Sequence, residues 1–440
     1  MVLPQPAQAS VTFVEQYCQH YRHLFREVRT YEAFKWLHLG IISELPRKSL
    51  PQIARAVGLK DGQALHHFLR DAPWEVSQVR STRLRLIKHL IGEQPIVLCI
   101  DETGDVKKGQ ATDYVAKQYI GNLGKTENGI VSVNAYALLN GLTYPLLFKI
   151  FKPRHRLKAG DEYKTKPQIA VEILQELKAY GFTIELVLAD SLYGESGDVT
   201  GELSQQQLPY IVAIRSNHPV LIPKGWKVRY NRWHGYQQAL SHRQSEPRWI
   251  REIIFGKPRK VRFFQITKGE VADPYGDSWY IMTNLKGKIQ RELAGLYSLR
   301  NWIEYGFKQV INELGWADFR LTGYGSIERG WEIIFSAYLL VSLPADYFQS
   351  CLEPSRSSSE GASGAILEFF GLHPWWEEGV TWKSALNNLR LIIQPYIFYC
   401  LLAPWLEVFS IPGLKRGFFR LMMHMNCFRG SPKLSQAVAA

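Results

Sequence analysis

Sulfur is scarce in this sequence. Five of its 440 residues are cysteine (Cys18, Cys99, Cys351, Cys400 and Cys427), and they are scattered, without the spacing of a zinc site or a disulfide framework. A reducing, cytoplasmic setting is therefore expected. No basic N-terminal stretch runs into an apolar one, so no secretory signal is read. Long hydrophobic runs are missing as well. The nearest, Leu391 to Trp405, is too short for a membrane span and is interrupted by Gln394, Pro395 and Pro404. It is expected to form a broken helix buried in protein, and no membrane partner is expected. Acidic residues are in deficit, with 40 Asp and Glu against 53 Lys and Arg, a net charge of +13 and a pI near 9.3. That balance points to a polyanionic partner, although charge alone does not separate nucleic acid from an anionic membrane surface.

What the chain does have is aromatic residues, 13% of the total including 13 Trp, which exclude disorder over most of its length. It is long enough for two or three structural units. Two short apolar runs end in an acid: Ile96-Val-Leu-Cys-Ile-Asp101 and Ile184-Glu-Leu-Val-Leu-Ala-Asp190. Each reads as a strand buried on both faces, with its aspartate at the carboxyl end, the rim at which α/β folds keep their sites. Further on, Leu296 to Gly315 carries Leu296, Leu299, Ile303, Phe307, Val310, Ile311 and Leu314 at helical spacing, predicting one amphipathic helix stopped by Gly315. Tyr297, Arg300, Glu304 and Lys308 share one face of it. Alone, that face reads more readily as a solvated Arg–Glu pair. Beside Asp101 and Asp190, Glu304 completes a three-carboxylate set suited to two Mg²⁺ ions, with Mn²⁺ able to substitute.

Several linked motifs follow in order: Asp101-Glu-Thr-Gly104, Lys107-Lys108-Gly109, Gln118-Tyr119-x-Gly121-x-x-Gly124-Lys125, Thr165-Lys166-Pro167 and Ala189-Asp190-x-x-Tyr193-Gly194. Together they resemble the DDE transposases of bacterial insertion sequences, most closely the insertion-sequence 701 group. That group is related to the transposases marked by a Tyr-x2-Arg-x3-Glu-x6-Lys signature. Tyr297, Arg300 and Glu304 fit the signature, whereas Ile311 stands where its lysine would be. The resemblance implies a ribonuclease-H-like α/β fold with a mixed sheet, and Asp101, Asp190 and Glu304 as catalytic metal ligands. It further implies double-stranded DNA, both element ends and target, as the partner, held by a homodimer, with no small-molecule substrate. Tyr297, Arg300 and Lys308 would then contact phosphate. A decayed copy that binds without cutting, or a nuclease of the same fold without strand transfer, are the competing readings.

Along the chain, residues 1–92 are expected to be helical. Ser49 to Arg70 there suggests a helix-turn-helix whose second helix offers His66, His67 and Arg70 to DNA. Residues 93–214 and 291–347 would form the core, with strands at 96–101, 130–139, 143–151, 184–190 and 209–214 and a helix from Pro167 to Tyr180. In the basic loop of the core, Lys107, Lys108 and Lys125 are candidate phosphate contacts. Residues 215–290, where Arg and Lys alternate with aromatics, read as a β-rich insertion with strands at 226–230, 249–255, 260–266 and 279–283. A linker at 348–364 and a helical tail at 365–440 complete the expected architecture.

Overall fold

The structure, a computed structural model, describes residues 6–239, 245–256, 260–273, 276–352, 370–379 and 381–428. Its first unit is helical: α1 (Thr12–Gln19), α2 (Val28–Ile42), α3 (Leu50–Ala56), α4 (Gln63–Arg70) and α5 (Val76–Ile91). Helix α3 carries Pro51 in its first turn, where the missing N–H costs nothing, and Gly58 follows it with φ +80°.

The strands β1 (Ile96–Val106), β2 (Ala116–Ile120), β3 (Lys125–Leu139), β4 (Leu142–Ile150), β5 (Ile184–Ala189) and β6 (Tyr210–Ile214) form the first half of one mixed sheet. Asn140 and Gly141, both at positive φ, close the β3–β4 hairpin, as an Asn-Gly pair between apolar runs predicts. Only β1–β5 and β5–β6 are parallel. They are linked through α6 (Lys166–Ala179), whose Thr165 and Gln168 form a capping box, and through α7 (Ser191–Gly194) and α8 (Gly197–Gln205). Strand β1 outruns its predicted end at Asp101 because β3 keeps pairing with it to Val106, while β5 stops at Ala189.

The segment 215–290 does not stand apart from the core. Its strands β7 (Val228–Tyr230), β8 (His234–Ala239), β9 (Ser245–Phe255), β10 (Arg262–Lys268) and β11 (Ser278–Thr283) join the same sheet, since β11 pairs antiparallel with β6. The strand order is β2-β3-β1-β5-β6-β11-β10-β9-β7, with β4 on β3 and β8 on β9. Strands β2 and β8 were not among the expected elements. Neither shows a continuous apolar run, since β2 alternates buried and exposed positions and β8 is polar along most of its length.

The predicted helix from Leu296 to Gly315 is three pieces: α9 (Gln290–Ser298), α10 (Asn301–Lys308) and a π-turn, Gln309–Glu313. Between α9 and α10 the N–H groups of Arg300, Trp302 and Ile303 each bond three residues back, a tighter turn that preserves the apolar spacing. Helix α11 (Tyr324–Leu352) then crosses β4, α2, α4 and α5. Its buried Glu332 accepts from Arg83 of α5 at 2.6 Å, and Arg83 also donates to the carbonyls of Pro145 and Leu146 on β4. One guanidinium thereby ties helical unit to sheet. Because α11 reaches Leu352, the first positions of the expected linker are helical, and 353–364 lie outside the described residues.

The tail forms α12 (Trp382–Val408) and α13 (Pro412–Met425). Here the expectation of a broken, buried helix fails. Helix α12 runs on through Pro395 and Pro404, each removing one backbone donor without ending the helix, and only its first half is buried. Among the described residues it is the one helix long and apolar enough to cross a membrane.

Candidate active site

The register of two parallel strands builds the site. Ile100 is paired with Ala189, so Asp101 and Asp190 follow as neighbours at the point where β5 ends. Asp190 caps α7, its Oδ1 accepting from the Leu192 N–H at 2.9 Å. That turn can close because Gly194 has no side chain: a Cβ there would lie 2.0 Å from the Ala213 carbonyl oxygen on β6. Asp101 is buried, and its Oδ1 accepts from the Glu102 N–H at 2.8 Å.

From the other side α10 arrives on the sheet through Gly306, where a Cβ would meet the Tyr136 ring of β3 at 2.8 Å. Arg300, at the start of α10, donates from Nη1 to Asp101 Oδ2 at 2.6 Å and from Nη2 to Glu304 Oε1 at 3.1 Å. One guanidinium thus spans the first and third acids. Burial pushes the Asp101 carboxyl up to about 7; Arg300 opposes that shift and the Asp190 charge adds to it. Tyr297 is half-buried beside Arg300, and the loss of solvent pushes its phenol up to about 12. Glu304 remains half exposed.

Asp101, Asp190, Glu304, Arg300 and Tyr297 are therefore brought together. Among the described residues, however, no three acids, histidines or cysteines are drawn into one metal-holding cluster. The reason is local: Arg300 sits between Asp101 and Glu304, supplying the positive charge that two acids need. In chemical kind the set suits a hard divalent ion, with Asp101 and Asp190 at neighbouring strand positions and Glu304 one guanidinium away. Lys308 is exposed one turn beyond Glu304. Ile311 packs towards the core on the π-turn, so a lysine at that position would point inward.

The other expected DNA contacts are dispersed. Lys107 is paired with Asp105 on β1, and Lys125 with Glu127 at 2.9 Å. Lys108 is exposed. His67 and Arg70 are exposed on α4, both paired with Asp71 at 3.4 and 2.9 Å, while His66 is half-buried.

Three residues of the site carry no role in the sequence reading. Glu102 points to the face of β1 opposite Asp101, where its Oε1 accepts from Lys166 of α6 at 2.9 Å. Its Oε2 is buried facing the buried hydroxyl of Tyr193 on α7, whose hydrogen bonding favours the charged carboxylate. Burial holds the Glu102 carboxyl above its usual range, against the pull of Lys166. All three belong to the motifs quoted above, but nothing in their spacing joins them.

Residues 22–265 match the family described as DDE superfamily endonuclease, a stretch that holds Asp101 and Asp190 and ends before Glu304. A protein of Microchaete diplosiphon, described as a probable transposase for insertion sequence element IS701, is 52% identical over 329 residues. The match covers 74% of this chain and 87% of that protein.

Proposed function

The chain belongs to the DDE superfamily endonucleases, in the IS701 group, and from that premise we propose that it is the transposase of an insertion sequence. It would cut the ends of its element and join them to target DNA by phosphoryl transfer. The observation that carries this reading is the pairing of Ile100 with Ala189, which sets two aspartates side by side, with Arg300 reaching from one of them to Glu304.

In this reading Asp101, Asp190 and Glu304 hold divalent cations, Mg²⁺ or in its place Mn²⁺. When bound, such ions activate water or a DNA 3′-hydroxyl for in-line attack and stabilise the leaving oxygen. The protein's own groups orient the substrate. Arg300, a planar fork with a bidentate geometry, exchanges its carboxylates for a phosphate, which frees Asp101 and Glu304 for cations. Tyr297 positions phosphate and does not attack it, because attack by water or a 3′-hydroxyl needs no covalent protein–DNA link. Lys308, on the exposed side of the helix, serves in part for the lysine absent at 311. Lys107, Lys108 and Lys125, and on α4 His67 and Arg70, add contacts to double-stranded DNA. The active form is a homodimer on DNA in the cytoplasm.

Purified protein with Mg²⁺ or Mn²⁺ is expected to nick DNA carrying its own element ends. Asp190→Asn should abolish nicking and leave binding intact. Cutting without joining would point to a nuclease, and binding without cutting to an inactive copy, the reading that Ile311 favours.

A further inference from the structure

Strands β1 and β5 part at the candidate site. Past the pairing of Ile100 with Ala189, β1 is carried on to Val106 by β3, so the backbone of Asp101 stays fixed in a ladder. The pairings of β5 stop at Ala189 on both of its sides. Asp190 therefore hangs on the single turn of α7, which it caps. Its place relative to Asp101 is only as firm as the seat of that turn.

The seat has two sides. Towards β6, Gly194 lies close against Val212 and the Ala213 carbonyl. Towards β1, Tyr193 is completely buried and its hydroxyl faces Glu102 Oε2. Neither atom has another hydrogen-bond partner among the described residues. Glu102 is held from behind, its Oε1 accepting from Lys166 at 2.9 Å. Lys166 opens α6, a helix fixed by its own capping box, so this strut is anchored at its far end. The result is a closed ring. It passes from Asp101 to its neighbour Glu102, across to Tyr193, and back to Asp190 through the turn closed by the Gly194 N–H on the Asp190 carbonyl at 2.9 Å. The β1–β5 ladder shuts it, one residue before the two aspartates.

Stability alone does not call for such a relay. Apolar side chains of similar volume commonly serve as well as a buried ion pair, or better. What hydrogen-bonding groups supply and an apolar trio does not is a fixed distance and direction. We propose that Tyr193 and Glu102 are positioning residues, whose contact behind the sheet sets the separation of Asp101 and Asp190 and so the affinity of that pair for a divalent cation. This rests on the reading of the two aspartates as cation ligands. Lys166 keeps the strut neutral, and Gly194 holds the opposite side of the same turn against β6.

Tyr193→Phe removes one oxygen and keeps the ring. The test is a Mn²⁺ titration of the full chain bound to DNA carrying its element ends, read by loss of the free Mn²⁺ electron paramagnetic resonance signal against the same DNA alone. Tyr193→Phe is expected to weaken Mn²⁺ binding by about 10-fold or more, the loss typical of a group that orients a metal ligand. The Mn²⁺ concentration that half-saturates nicking should rise by the same factor, with the affinity for DNA unchanged. Glu102→Asp keeps the charge but draws the carboxylate back from Tyr193, and should weaken Mn²⁺ binding as well. Ser336→Ala, which removes buried bonds to Tyr17 and His38 in the helical unit, is the destabilised control and should bind Mn²⁺ as the wild type does. A Tyr193→Phe chain that binds Mn²⁺ within about twofold of the wild type, while Asp190→Asn has lost it, overturns the proposal and keeps the cation site. A loss shared by Ser336→Ala overturns it too, since the effect would be one of stability. Should the wild-type complex take up no more Mn²⁺ than its DNA does, the cation reading of the aspartates falls, and the proposal with it.

Discussion

Arg300 is the residue on which the candidate site turns, because it pairs with a buried acid, Asp101, and a half-exposed one, Glu304. Glu102 and Lys166 repeat the device on the other face of β1, with side chains only 12% and 15% exposed. Lys166→Met should strand a buried carboxylate and lower stability by about 3 kcal/mol, with Glu102→Gln in the same chain recovering most of the loss. Denaturant titrations of the two single variants and the double variant would measure this. His38 of α2 makes a second case. It is fully buried, bonded to the Phe34 carbonyl at 2.7 Å and to Ser336 Oγ at 2.8 Å, and burial lowers its imidazole to about 4. Its folded pKa lies below the ordinary 6.5, so the unfolded chain takes up a proton that the folded one refuses. Stability is therefore full above pH 6.5 and falls as the pH drops towards 4, by on the order of 3 kcal/mol. In thermal melts His38→Gln should flatten that slope. At this scale the neighbouring placement of Asp101 and Asp190 was legible, since an acid ending an apolar run is a visible pattern. The Glu102–Lys166 pair spans 64 positions and has no such signature.

Among elements, the strands that carry the aspartates and helix α6 were readable from apolar runs and apolar spacing, whereas the Thr165 cap that starts α6 was not read. The two failures have different causes. Periodicity counts side chains and cannot see backbone bonds, so α9 and α10 read as one helix across a tight turn. Helix α12 read as two because its prolines were taken as stops. Close approach was equally invisible: Gly194 reads as part of a motif, yet its lack of a Cβ is what lets α7 sit on β6. Gly194→Ala should push the Asp190 turn off the sheet. We expect a lower melting temperature and cleavage reduced more than 10-fold, with far-UV dichroism retained, since a displacement near 1 Å costs a catalytic site about that much or more.

For the whole molecule, the net charge of +13 makes DNA affinity a matter of counterions. If the chain meets six to ten phosphates, binding should weaken by about 10³–10⁵ between 50 and 200 mM salt, and the slope of log K against log salt would count the contacts. A slope near zero would contradict an electrostatic grip. The continuity of the sheet from β2 to β7 could not be foreseen, because nothing in residues 215–290 announces that β11 will bond to β6. That single ladder has a mechanical consequence. Strand β9 is stitched through β10, β11 and β6 to the strand that ends beside Asp190, with no break in the order. A load at one end of that ladder is therefore felt at the other, and any give falls to the helices that clothe it.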